Sequence, residues 1–338
     1  MRLLLLTIWG IFWCVEGRGQ ATLIDSLGVR HLQFTFNGMP VDLLVASAKN
    51  EEMVPKPVLF FCQGSMPKPL IINSDKGPYG VFPFKTDILT QHYHLVIAGK
   101  PAVPLASHVR NLGSNFVYTN QEGHLPEEYV VNNHPDFYIS RNLFLLKKLG
   151  QMSWVARKQI VVAGHSEGAH IAAGMAVKSR RVSHLIYASG NPLGRIHDII
   201  AQGRRRESDT DSTRFGESAF DYWKTVLKDK DARSAETGDP FYTTYTFSQP
   251  QLNAISHLKI PVLIMYGTKD TNAPLNDLLR VEVMKKGKRN FTFKPCINCE
   301  HNFFPVYSDG TVDHSQFNWD KVARFWGEWI AQSVNGKK

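Results

Sequence analysis

Gln159-Ile160-Val161-Val162-Ala163-Gly164-His165-Ser166-Glu167-Gly168 is the stretch on which the fold turns. After Gln159, Ile160-Val161-Val162-Ala163 form a short apolar, mostly β-branched run, the pattern of a strand buried on both faces. From Glu167 to about Lys178 the residues read as a helix, so Ser166 stands on the turn between the two. A serine projects above a sheet at such a turn only where its neighbours carry little or no side chain, and Gly164 and Gly168 meet that need. Glu167 opens the helix, so its backbone N–H and the positive helix end face any negative charge that develops beside the hydroxyl. Ser166 is therefore a candidate nucleophile and Glu167 a candidate oxyanion donor.

A hydroxyl is a poor nucleophile until a base removes its proton. The motif thus demands a histidine held by a carboxylate, arriving later in the order Ser, acid, His. The run Val262-Leu263-Ile264-Met265-Tyr266 reads as another buried strand and ends in Gly267-Thr268-Lys269-Asp270, which places Asp270 at a strand's carboxyl end. A strand around Phe291-Thr292-Phe293 leads through Cys296 and Cys299 to Glu300-His301, again at a carboxyl end. With 13 histidines and 30 acids in the chain, position must decide. His301 precedes the last helix, where the ordering puts the base. Asp270 follows a strand, although Asp is also common in plain turns. Glu300 adjoins His301 and cannot orient its neighbour's ring.

Outward from this constellation the chain alternates. Leu32–Phe36 and Val41–Val45 flank Asn37-Gly38 and read as an antiparallel hairpin. Pro57–Cys62 and His94–Ala98 are buried-strand runs about thirty residues apart, the spacing a helical crossover needs. A helix over Tyr138–Leu149 precedes the strand at Gln159, and strand Val182–Ser189 follows the helix that Glu167 opens. A closing helix spans about Phe317–Val334. Strands alternating with helices predict a mostly parallel sheet covered on both faces. Between about 193 and 258 the chain turns polar and aromatic, with Phe215, Phe220, Tyr222, Trp223, Phe241, Tyr242, Tyr245 and Phe247. A structureless loop of that length is uncommon, so this is read as a helical insertion over the top of the sheet. Its aromatic residues read first as the insertion's own small core, and only second as a lining for an apolar substrate. The loop Gly99–Pro104 and the segment Tyr129–Arg141 are weaker candidates for the pocket wall.

Gly164-His165-Ser166-Glu167-Gly168, Gly267-Thr268-Lys269-Asp270 and His301, in this order and spacing, resemble the serine hydrolases of the α/β-hydrolase superfamily. The match runs from about Leu32 to the end. The resemblance implies an eight-stranded, mostly parallel sheet, a cap inserted after the sixth strand, and no cofactor. It also implies a catalytic triad of Ser166, Asp270 and His301, and an oxyanion-hole N–H from the loop after Val58–Cys62. Members often carry His-Gly in that loop where this chain has Gln63-Gly64, but a backbone donor does not depend on that side chain. Pro67 has no N–H, which leaves Ser65 as first choice and Met66 as second. The implied activity is ester hydrolysis; peptide or amide hydrolysis by the same triad, and a ligand-binding protein without turnover, are the alternatives.

The rest of the sequence bounds the setting. Its 338 residues are 43% hydrophobic and 20% charged, a globular composition with no repeat or linker that would justify a separate second domain. Arg2 followed by the apolar run Leu3–Val15 reads as a signal peptide over 1–19, with cleavage after Gly17, Gly19 or Ala21, and an uncleaved anchor as the alternative. No later stretch is long enough to span a bilayer, so an exported, soluble protein is expected. In an oxidising destination Cys296 and Cys299 are the natural disulfide, with Cys62 a buried thiol. A zinc site would want four ligands, and no second Cys/His cluster accompanies them. The formal net charge of +9 concentrates in Arg204-Arg205-Arg206 and Lys285–Arg289. Without a recognisable nucleic-acid module these runs read as solvated surface. Asn290-Phe291-Thr292 is a glycosylation sequon, but its place in a strand reads as accidental.

Overall fold

A computed structural model of the protein describes residues 23–207, 214–234 and 238–335. The expected signal peptide lies outside the described residues. In chain order the strands are β1 (Val29–Phe36), β2 (Met39–Ala46), β3 (Lys56–Cys62), β4 (Ile71–Ser74), β5 (Gly77–Gly80), β6 (His94–Ala98), β7 (Ala106–His108), β8 (Val155–His165), β9 (His184–Ala188), β10 (Val262–Gly267) and β11 (Phe291–Cys296). β1 and β2 form the antiparallel hairpin, closed by Asn37 and Gly38 at φ 51° and 79°. Positive φ at both positions is what a tight two-residue hairpin turn requires.

The hairpin begins an eight-stranded sheet of order β1-β2-β6-β3-β8-β9-β10-β11. β2 runs antiparallel to β6, and every pairing from β6 onward is parallel. β6, β9 and β10 are buried along their whole length, which is why their sequences are continuous apolar runs with no alternation. Successive residues point to opposite faces and feed two cores. Phe60, Val162, Tyr187 and Ile264 pack with the helices Pro135–Leu149 and Glu167–Lys178. Phe61, Ile97, Ile186 and Met265 pack with Trp326 and Ile330 of the closing helix Trp319–Asn335. Each fully buried aliphatic side chain contributes roughly 1.5–3 kcal/mol, so the centre of the sheet is the rigid platform for whatever its carboxyl ends carry.

Several boundaries differ from expectation. No long helix crosses from β3 to β6. That stretch holds the β4–β5 hairpin, which joins β7 in a three-stranded sheet, and the one-turn helix Asp87–Thr90. Strands of three or four residues are too short to show a period in sequence. The helix expected from Tyr138 starts at Pro135, where the His134 ring accepts the Phe137 N–H. β8 starts at Val155, earlier than expected, because Arg157 and Lys158 lie on its exposed part and break the apolar run. Between β9, the sixth strand of the large sheet in chain order, and β10 stand four helices: Arg195–Arg206, Phe215–Lys228, Phe241–Phe247 and Leu252–Ser256. Among the described residues this segment holds no strand.

Candidate active site

Ser166 sits between β8 and its helix at φ 58° and ψ −125°, a conformation L-residues rarely adopt. It persists because its surroundings over-determine it. The Ser166 N–H donates to Ala188 O at 2.9 Å, and its carbonyl accepts the Ala169 N–H at 3.0 Å. A Cβ on Gly164 would meet Gly168 O at 2.0 Å, and one on Gly168 would meet Cys62 O at the same distance. Both glycines are therefore dictated by backbone crossing backbone, and the hydroxyl is carried above the sheet.

Asp270 and His301 meet beside it. His301 Nδ1 lies 2.9 Å from Asp270 Oδ2, and Asp270 Oδ1 accepts the Asn272 N–H at 3.0 Å. The two loops are joined by their backbones. Lys269 N–H donates to Cys299 O and Thr268 N–H to Cys296 O, each at 2.9 Å, while Gly267 approaches Cys299 O so closely that a Cβ would stand 2.2 Å away. Cys296 and Cys299 are disulfide-bonded; Cys62 is a buried free thiol, pushed up to about 12, chiefly by burial. Burial lowers the affinity of His301 for a proton, but the hydrogen bond and charge of Asp270, with Asp198 and Glu300 behind it, outweigh that and hold the ring above its ordinary value. Glu300 itself accepts the N–H groups of Asn302 and Phe304 and turns away from its neighbour's ring.

Three cavities converge on Ser166. An inner one of about 380 Å³ is walled by Glu167, Ser189, Arg195, Asp198, Tyr222 and Phe247. A second of about 420 Å³ opens past Phe61, Met66 and Val81, and a third of about 660 Å³ past Asp270, His301 and Arg206. Ser166 and His301 share the last two, and among the described residues the Ser166 hydroxyl makes no hydrogen bond. Contacts of this kind often tighten only once substrate is bound. Ser65 borders all three cavities, and the N–H groups of Ser65, Met66 and Glu167 find no acceptor among the described residues.

The structure adds residues that sequence reasoning missed. His165 Nε2 lies 2.9 Å from the His301 carbonyl oxygen, with Phe303 and Trp319 packed on its ring. Burial first, and His301 second, hold His165 at about 3, so it is neutral and can donate to that oxygen. The Glu167 side chain is buried between Lys100 Nζ, 3.6 Å away, and Arg195, which also binds Asp239 at 2.5 Å. Arg195 is lowered by its burial, yet Glu167 and Asp239 more than reverse this. Asn133 extends the chain to Asp239 at 3.0 Å, and Tyr129 donates its hydroxyl to Ser65 O at 2.8 Å. Lys100 and Tyr129 thus stand behind the site as supports, and they and Arg141, which donates to Gly99 O at 2.7 Å, are absent from the walls of all three cavities. Of the insertion's aromatic residues, Tyr222 and Phe247 face the inner cavity, whereas Trp223 stacks on Tyr245 at 6.1 Å within the insertion. The Asn290 amide of the sequon donates to Leu258 O and Ile260 O, the commitment of a structural side chain.

No family model and no curated protein matches the sequence. Solved structures do resemble the fold. The 2,6-dihydroxy-pseudo-oxynicotine hydrolase aligns with 96% of this chain and 73% of its own at 13% identity and a TM-score of 0.55. Est1E from Butyrivibrio proteoclasticus, in a structure with ferulic acid bound, aligns with 90% of this chain and 99% of its own at 14% identity and a TM-score of 0.54. Acylaminoacyl peptidase from Pyrococcus horikoshii aligns with 93% of this chain at 14% identity and a TM-score of 0.53, and this chain spans only 43% of its length. At these identities the likeness is one of fold.

Proposed function

The chain has the α/β-hydrolase fold, and on that premise we propose that it is an exported serine hydrolase that cleaves a carboxylic ester through an acyl-enzyme on Ser166. The observation that carries the reading is the His301–Asp270 hydrogen bond at 2.9 Å beside a serine raised on a strained turn. His301 Nε2 takes the Ser166 proton as Oγ attacks the ester carbonyl carbon. Asp270 accepts from Nδ1–H, fixing the tautomer and stabilising the imidazolium. The carbonyl electrons move onto oxygen, where the N–H groups of Glu167 and Ser65, or Met66 in its place, meet the charge. Collapse breaks the bond to the leaving oxygen, which takes its proton from His301. Water then attacks the acyl carbon as His301 takes a water proton, and collapse frees the acid and returns the proton to Ser166.

The Cys296–Cys299 disulfide supports an oxidising destination. Amide cleavage by the same groups is the second reading, favoured by the likeness to acylaminoacyl peptidase. The test is hydrolysis of matched 4-nitrophenyl butyrate and butyryl 4-nitroanilide by the wild type and Ser166→Ala. Ester turnover lost in the variant supports the proposal, and faster anilide turnover moves it to an amidase. No turnover of either by a folded protein overturns it in favour of a binding protein.

A further inference from the structure

The run Arg204-Arg205-Arg206, read from sequence as solvated surface, ends the helix Arg195–Arg206 at the mouth of the site. Arg204 turns outward and pairs with Glu207 at 3.1 Å and Glu217 at 2.5 Å. Its two neighbours do not. Arg205 and Arg206 line the largest of the three cavities together with Lys269, beside Ser166 and His301. Arg205 Nη1 donates to the Lys269 carbonyl at 2.7 Å, which ties the end of the helix to the loop that carries Asp270. Among the described residues none of Arg205, Arg206 and Lys269 has a carboxylate within ion-pair distance. The same wall carries three carboxylates, each hydrogen-bonded elsewhere, Asp270 to His301, Glu300 to backbone N–H groups and Asp198 to Gln202 at 2.9 Å, so none of them is paired with the three cations.

The position of this wall relative to the base says which part of a substrate it would meet. His301 delivers its proton to the leaving group, so that group departs on the His301 side. The inner cavity holds Ser65, Ser166 and Glu167 without Asp270 or His301, and so is the place for the acyl part. The second cavity also reaches His301, but of the two the third brings Asp270, Arg205, Arg206 and Lys269 to the base, and so is the place for the leaving group. Resting on the hydrolase reading above, we propose that the substrate's leaving group carries an anionic oxygen group, a carboxylate or a phosphate, recognised by Arg205, Arg206 and Lys269. Arginine is suited to this because its fork of donors matches both groups.

The test compares acetate esters that share an acyl group and differ only across the ring of the leaving phenol: 4-acetoxybenzoate, 4-acetoxyphenyl phosphate and the neutral 4-acetoxybenzamide. Each kcat/KM is divided by the rate of alkaline hydrolysis, which removes differences in leaving-group acidity. The anionic esters are expected to exceed the neutral one by about tenfold at low salt, the scale of two or three exposed ion pairs acting together, and to lose that lead as salt rises. A lead confined to the benzoate assigns the cavity to carboxylate, and a larger one with the phosphate assigns it to phosphate. In the Arg205→Gln/Arg206→Gln/Lys269→Gln variant the ratio falls to about one, whereas Arg204→Gln keeps it. Equal normalised rates in a wild type whose turnover depends on Ser166, or an unchanged ratio in the triple variant, overturns this inference alone. No turnover of any of the three esters overturns the hydrolase reading and the inference with it.

Discussion

Replacing Gly168 by alanine puts the elbow's geometry to a direct trial. The added Cβ would stand 2.0 Å from Cys62 O and 2.7 Å from Gln63 O, where contacts below 3.0 Å essentially do not occur. The deficit of 1.0 Å against Cys62 O falls on the carbonyl that ends β3, a central strand, so no flexible side chain can absorb it. Either β3 or the elbow helix must move by about that much. A shift of about 1 Å in a reacting group costs on the order of a hundredfold in rate, and overpacking a dense core costs about 1–3 kcal/mol or more. Gly168→Ala is therefore expected to lose at least about a hundredfold in kcat on an activated ester and to melt at a clearly lower temperature. Gly64→Ala is the control, because its Cβ would rest 3.8 Å from Ser166 Cβ and His165 O, an ordinary contact. It sits as close to Ser166 and should fold and turn over nearly as the wild type does. Wild-type activity and melting in Gly168→Ala, or equal damage in both variants, would show that the backbone crossing at Gly168 does not set the position of Ser166.

Asp270→Asn removes the hydrogen bond and charge that hold His301 above its ordinary value and leaves burial to lower it. Because the base must be neutral, the acid limb of kcat/KM against pH should lie above 6.5 in the wild type and move to lower pH in the variant; an unmoved limb would break the link between the pair and the activity. His165 and His170, lowered by burial to about 3 and about 4, resist protonation in the fold but not in the unfolded chain. Their stabilisation is full above pH 6.5 and drains away as pH falls from there toward those values, while raised His301 works in the opposite sense, with stabilisation present below 6.5 and lost as pH rises through its folded value. Melting temperature should thus fall on acidification below 6.5, and His165→Asn/His170→Gln should flatten that slope; an equal slope contradicts the assignment. Arg195→Ala leaves the buried Glu167 and the part-exposed Asp239 facing each other without their shared cation, a loss of about 2 kcal/mol, below that of a fully buried pair, read by urea unfolding; a loss under about 1 kcal/mol would show that Lys100 suffices.

How far the sequence carried the account depends on how local each feature is. The hairpin announced itself through Asn37-Gly38, and β6, β9 and β10 through runs that only strands buried on both faces can tolerate. The glycines at 164 and 168 were legible because a backbone crossing leaves no other residue possible. By contrast β4, β5 and β7 are too short to carry a period, so their stretch reads as an empty crossover. The buried charge chain was illegible for another reason. Lys100, Glu167, Arg195 and Asp239 come from four separate segments, and only the topology brings them together beside Ser166. His165 hid in plain view inside the motif, since nothing in its position reveals that its ring reaches the His301 carbonyl.

The proposed mechanism requires an activated Ser166. Treating the purified protein with a fluorophosphonate, then locating the adduct by mass spectrometry, tests it most directly. One adduct is expected, on Ser166, absent from Ser166→Ala and slowed in His301→Ala. A folded protein that takes no adduct, or takes it on another residue, would contradict it.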